Sequence, residues 1–218
     1  MGQTGMTTTV KICGLKTPET VRAALEAGAD MLGFVFFPKS PRAVSPQEAA
    51  ALAAPARGRA QIVALSVDAD DAALETIVAA LAPDVIQAHG KETPERCAAI
   101  GARFAVPVMK ALGVAERADL ETIPAYAAVC GRLLIDAKPP KGAALPGGNG
   151  VAFDWRLLDG FAPGVPWLLS GGLTAQNVAQ ALRLTRAPGV DVSSGVETAP
   201  GVKDAAKIAA FVAAARRG

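Results

Sequence analysis

Cys13 closes the short apolar run VKIC, and Asp136 closes RLLID. A thiol and a carboxylic acid are groups with which a protein can take one proton from a substrate and return another. Neither residue proves that alone. A lone cysteine is most often a small, inert hydrophobe, and an aspartate at a strand end is often a turn cap. Position raises the functional reading. Lys11 shares a strand face with Cys13 and could supply the positive charge a thiolate needs, unless it pairs with Asp191 or another acid. Four apolar neighbours draw Asp136 toward a dry site, which favours the protonated carboxyl of a general acid. His89 is the single histidine; with no second histidine and no carboxylate at ligand spacing, it reads as a hydrogen-bonded structural residue, and no metal is expected. Cys97 and Cys130 sit in helical stretches and read as packing.

Two glycine-bearing turns supply a different chemistry. Ser170-Gly171-Gly172-Leu173-Thr174 and Ser193-Ser194-Gly195-Val196-Glu197 follow the seventh and eighth apolar runs. Either alone could be a tight turn and nothing more. Together they offer bare backbone N–H groups and hydroxyls to an anion, at the place where barrels bind phosphate. The residues by themselves therefore indicate a small phosphorylated substrate held between a thiol and a carboxylic acid.

Such residues need a frame that brings them together. The chain alternates eight apolar runs (VKIC, MLGFVFF, QIVALSV, DVIQA, VPVMKA, RLLIDA, PWLLS and GVDVSS) with amphipathic, alanine-rich stretches. Several of those stretches open on a helix signature, such as Thr17-Pro18-Glu19 and Ser45-Pro46-Gln47-Glu48. Near-continuous apolar strands imply burial on both faces, and regular alternation with helices implies parallel strands. Eight units in 218 residues fit a single-domain α/β fold, a closed (β/α)8 TIM barrel. An open doubly wound sheet would normally carry GxGxxG after its first strand, and Cys13-Gly14-Leu15-Lys16 carries nothing similar. Along each strand side chains alternate in and out, so Lys11 with Cys13, Gln87 with His89, and Asp191 with Ser193 should point inward near the C-terminal rim. The stretch AKPPKGAALPGGNGVA reads as a mobile loop within the barrel, and residues 1–9 as a frayed extension before a barrel domain at 10–218.

Composition narrows the partners. With 51% hydrophobic and 19% charged residues the chain can bury a large core, and neither disorder nor collagen-like repetition fits. A net charge of +2, with 22 scattered Lys and Arg, lacks the footprint of a nucleic-acid binder. No apolar run approaches bilayer-spanning length, no signal-peptide pattern opens the chain, and three cysteines without close spacing read as reduced thiols. A cytoplasmic protein is expected.

The motifs KICGL, GADMLGFVFFPKSPRAV, LLIDAKPPKG with GGNGVAFDW, LLSGGLTAQNV and GVDVSSGVETAPGVKD resemble the phosphoribosylanthranilate isomerase family, in order from Lys11 to Asp204. The resemblance implies a cofactor-free Amadori rearrangement in tryptophan biosynthesis, converting N-(5-phosphoribosyl)anthranilate to 1-(2-carboxyphenylamino)-1-deoxyribulose 5-phosphate. It also implies that Asp136 protonates the ribose ring oxygen, that Cys13 removes the proton from the second sugar carbon, and that Arg42 faces the anthranilate carboxylate, a duty to which the two-pronged pairing of Arg is suited. Gly171, Gly172, Ser193, Ser194 and Gly195 would hold the phosphate. A monomer or homodimer is expected. QAHG in place of QLHG and the run VALSVD depart from the family pattern, away from the acid, base and phosphate positions. Two rivals remain. An isomerase of histidine biosynthesis would use a pair of aspartates, against Cys13; a non-catalytic phosphometabolite binder would need neither Cys13 nor Asp136.

Overall fold

The computed structural model describes residues 7–138, 147, 148, 150 and 153–218. Most of the expected 137–152 loop, and residues 1–6 of the expected extension, lie outside these. Eight parallel strands close on themselves: β1 (Thr9–Cys13), β2 (Met31–Val35), β3 (Gln61–Ser66), β4 (Val85–Ala88), β5 (Val108–Val114), β6 (Arg132–Ala137), β7 (Trp167–Leu169) and β8 (Gly189–Val192). Closure is made by β1, which pairs with β2 at Lys11↔Met31 and with β8 at Lys11↔Asp191. The first strand begins one residue before the expected boundary, because the Thr9 amide donates to Pro188 O and Thr9 registers with Gly189.

The expected helix starts are present where the chain carries a capping side chain. Thr17 caps α1 (Pro18–Glu26), and Ser45 with Glu48 forms a reciprocal capping box on α2 (Pro46–Ala53). Asp70 and Thr93 cap α3 (Asp71–Leu81) and α4 (Pro94–Phe104), their side chains accepting the amides of Ala73 and Arg96. Two expected helices are curtailed. The fifth stretch is a 3-10 segment, Arg117–Thr122, followed by only α5 (Ile123–Ala127); Pro124 lacks the N–H that would have let a longer α-helix run through it. The sixth, FDWRLLDGF, is one 3-10 turn, Trp155–Leu158, ended by Gly160 at φ 69°. A glycine in the left-handed region does not continue a helix, so the stretch stops after one turn. After α6 (Val178–Thr185), the last helix is α7 (Ala205–Arg217), with Asp204 as its N-cap. Between β8 and α7 lies an unexpected antiparallel pair, β9 (Glu197–Ala199) and β10 (Val202–Lys203), which sets Glu197 directly beside Lys203.

Packing divides along the strands' two faces. Val10, Ile12, Leu32, Phe34, Ile62 and Ile86 point outward and merge with the buried helix faces into the main core. The opposite face forms an apolar interior cluster including Met31, Val63, Met109, Leu134 and Leu168. Above it the interior turns polar: Lys11, Gln87, Asp136 and Asp191 are all buried. Ordinary cores avoid this, because each unpaired group there costs about 1–3 kcal/mol. Among the described residues no helix is long and apolar enough to cross a membrane.

Candidate active site

One pocket opens at the C-terminal rim, and Cys13, Arg42, Asp136, Gly171, Gly172, Ser193, Ser194 and Gly195 all line it. Every site residue expected from the sequence is therefore brought to one place.

Cys13 ends β1 with its side chain inward, and two glycines shape its surroundings. A Cβ on Gly33 of β2 would stand 3.0 Å from Cys13 Sγ and 3.2 Å from Lys11 Nζ, so that strand glycine leaves the thiol and ammonium their space. Gly14 has φ 80°, and a Cβ there would meet Arg42 Cδ at 2.7 Å. Lys11 Nζ donates to Asp191 Oδ1 at 2.7 Å, and Ser170 Oγ donates to Asp191 Oδ2 at 3.2 Å. Burial would strip Lys11 of its proton, but the Asp191 carboxylate outweighs it and the ammonium is retained. Burial is also the largest influence on Cys13 and pushes its thiol up; Lys11 and Lys203 pull it down while Asp191 works against them. Lys11 thus does both things the sequence left open: it pairs with Asp191 and also favours the thiolate.

Asp136 stands across the pocket on β6. Its Oδ1 accepts the Ala137 amide at 2.8 Å, which leaves Oδ2 toward the pocket, 3.5 Å from His89 Nε2. The imidazole is hydrogen-bonded as expected, with Gln87 Nε2 2.8 Å from His89 Nδ1, but it also faces the acid. Gly147 packs over the pair: a Cβ there would stand 2.6 Å from His89 Nε2 and 2.9 Å from Asp136 Oδ2.

Arg42 lines the pocket, but its fork is already engaged. It is buried, with Nε and Nη2 each 2.8 Å from a different oxygen of Glu197. Its two-pronged face is therefore spent inside the protein, and among the described residues Nη1 makes no hydrogen bond. Glu197 also accepts from Lys203 Nζ at 2.6 Å, and the same ammonium donates to Ser193 O at 2.9 Å and Ser193 Oγ at 3.1 Å. Burial pushes the Glu197 carboxyl up, yet Arg42 and Lys203 outweigh it and hold the group below the usual carboxylate range. Burial wins at Lys203, whose ammonium is pushed below its ordinary value in spite of Glu197.

The glycine turns pack on each other. A Cβ on Gly195 would lie 1.9 Å from Leu173 O, and Gly171 and Gly172 take φ of 89° and 63°. Asn177 braces the first turn, donating to Gly172 O at 2.9 Å and accepting the Thr174 amide at 2.8 Å. Among the described residues the amides of Gly172, Ser194 and Gly195 donate to no protein acceptor, so they are available to an anion. Glu197 and Lys203 were missed in the sequence because their meeting depends on a hairpin that the eight residues of VETAPGVK do not announce; the available signal was the Pro200-Gly201 turn.

Comparison with known proteins agrees with this geometry. A family model described as N-(5'phosphoribosyl)anthranilate (PRA) isomerase matches residues 10–214. A protein of Rhizobium meliloti named N-(5'-phosphoribosyl)anthranilate isomerase is 58% identical over 212 residues, covering 97% of this chain and 99% of the relative. One of the same name from Azorhizobium caulinodans is 62% identical over 207 residues, covering 95% and 91%. Among solved structures, phosphoribosyl anthranilate isomerase from Thermotoga maritima superposes with a TM-score of 0.87 at 34% identity, over 97% of this chain and 100% of that one. A phosphoribosyl anthranilate isomerase in complex with reduced 1-(o-carboxyphenylamino)-1-deoxyribulose 5-phosphate gives 0.84 at 32% identity, with the same coverage. Shared along nearly the whole chain, this likeness shows that the protein belongs to the N-(5'-phosphoribosyl)anthranilate isomerase family.

Proposed function

We propose that this chain catalyses the family reaction, the Amadori rearrangement of N-(5-phosphoribosyl)anthranilate in tryptophan biosynthesis, as a cytoplasmic monomer or homodimer. The observation that carries the reading is the placement of Cys13 and Asp136 on β1 and β6, facing one pocket whose remaining wall is the two glycine turns. Phosphate sits on the amides of Gly172, Ser194 and Gly195, with Gly171 and Ser193 shaping the turns. That contact fixes the sugar between the other two groups.

Asp136 Oδ2 gives a proton to the ribose ring oxygen, the bond from that oxygen to the first sugar carbon breaks, and the nitrogen lone pair closes a Schiff base. Cys13, as thiolate, then takes the proton from the second sugar carbon, and its electrons neutralise the iminium to an enolamine. Tautomerisation gives the ketone. Lys11 and Lys203 favour the thiolate that burial opposes. Arg42 meets the anthranilate carboxylate through Nη1 rather than through its fork, which Glu197 holds.

The test follows fluorescence of freshly made phosphoribosylanthranilate. Cys13→Ala and Asp136→Ala should each lose at least about a hundredfold in kcat, the scale of a missing general acid or base. Near-wild-type turnover by both would sink the mechanism, and failure of the wild-type chain to rescue an isomerase-deficient tryptophan auxotroph would sink the function.

A further inference from the structure

His89 is more than a satisfied structural histidine, because its two ring nitrogens meet two different partners. Nδ1 lies 2.8 Å from Gln87 Nε2, and Nε2 lies 3.5 Å from Asp136 Oδ2. Gln87 is completely buried inside the barrel, and its amide orientation decides which nitrogen carries hydrogen. With Nε2 of the amide toward the ring, Gln87 donates and Nδ1 accepts, so the hydrogen of the neutral imidazole is on Nε2 and points at Asp136. That arrangement leaves Gln87 Oε1 without a partner. The flipped amide would instead leave an NH2 group without one, and buried orphan N–H groups are rarer than under-satisfied carbonyls. The observed orientation is therefore the better one.

The ring is also held from outside the barrel. Lys110 Nζ donates to Ala88 O at 3.3 Å and to Gly90 O at 2.7 Å, the carbonyls on either side of His89, and pairs with Glu92 at 2.8 Å. Glu92 in turn accepts the Gly90 amide at 2.8 Å, and the His89 amide donates to Ser66 O at 2.9 Å. These contacts fix the backbone on both sides of His89, and the Gln87 contact holds the ring toward Asp136.

We propose that Gln87 and His89 are positioning residues for the acid: Gln87 fixes the Nε2–H tautomer of His89, and that N–H closes on the Asp136 carboxylate as it forms. This rests on Asp136 being the general acid. A donor aimed at a group that becomes negative during the reaction stabilises the transition state more than the ground state, so it raises kcat and leaves substrate binding almost unchanged.

With one histidine in the chain, the ring nitrogens of protein carrying 15N-histidine give an unambiguous spectrum. At neutral pH we expect Nε2 protonated and Nδ1 bare, judged by the one-bond coupling to hydrogen. Hydrogen on Nδ1, alone or together with Nε2, would overturn the proposal. In kinetics, His89→Leu should lower kcat by about 10- to 100-fold with KM within about threefold, and His89→Asn, which keeps an N–H donor, should recover part of the loss. Wild-type kcat in His89→Leu would also overturn it. Gln87→Met should give a mixture of tautomers and a lower kcat; an unchanged spectrum would remove Gln87 from the proposal, and if that variant fails to fold the wild-type spectrum still decides. Full activity in Asp136→Ala, by contrast, would refute the reading of Asp136 while the spectrum stood.

Discussion

Replacing Glu197 with glutamine should damage stability and substrate binding together, because one carboxylate serves two buried cations. Glu197 Oε1 accepts Arg42 Nε and Lys203 Nζ, and Oε2 accepts Arg42 Nη2, all within 2.8 Å. Glutamine keeps the shape, but one oxygen becomes an NH2 group facing donors, and a guanidinium and an ammonium lose their counterion. Breaking a buried pair by removing one partner costs about 3–5 kcal/mol. With a urea slope of about 2 kcal/mol per molar, the unfolding midpoint should fall by about 1.5–2.5 M. Trp155 and Trp167 make fluorescence a suitable probe. Because Glu197 titrates lower folded than unfolded, its contribution is complete above the unfolded carboxyl value near 4.5 and is lost as pH falls through the folded one. The gap between wild type and Glu197→Gln should therefore narrow in acid. Steady-state kinetics should show KM raised about tenfold, since Arg42 is no longer aimed, with a smaller change in kcat. A midpoint shift under 0.5 M (about 1 kcal/mol on that slope) together with an unchanged KM would refute the idea that this carboxylate anchors both cations.

Two other substitutions probe the same rim. Lys11→Met removes a cation that favours the Cys13 thiolate, so the rise of kcat/KM with pH should move toward alkaline pH; a profile that stays in place would free Lys11 of any part in tuning the thiol. Gly195→Ala places a methyl 1.9 Å from Leu173 O and must drive the glycine turns apart, so KM should rise at least about tenfold, and an unaltered KM would place the phosphate elsewhere.

What was legible in the sequence depended on how local the signal was. Cys13 and Asp136 were visible because each is a polar residue at the end of an apolar run, and the barrel followed from eight such runs. Arg42 was visible only through the resemblance. By itself it looks like a solvated loop charge, and its burial depends on Glu197, 155 residues away. The same holds for Lys11 and Asp191, whose pairing exists only once β1 closes against β8. Helix lengths failed for a different reason: FDWRLLDGF and the stretch around Pro124 have helical composition, but a left-handed Gly160 in one and a missing N–H in the other stopped propagation.

Gly147 and Gly148 carry a consequence beyond their own conformation. The first leaves the space occupied by His89 Nε2 and Asp136 Oδ2, and the second leaves the space occupied by Arg42 Nη1, 2.7 Å from where its Cβ would be. The chain after β6 thus meets the acid and the guanidinium at adjacent residues, by the atoms it lacks. Transplanting Cys13, Asp136 and Arg42 onto another barrel would carry over the reactive groups without the surface that fits over them. The heritable unit of this site is the rim together with its two bare glycines.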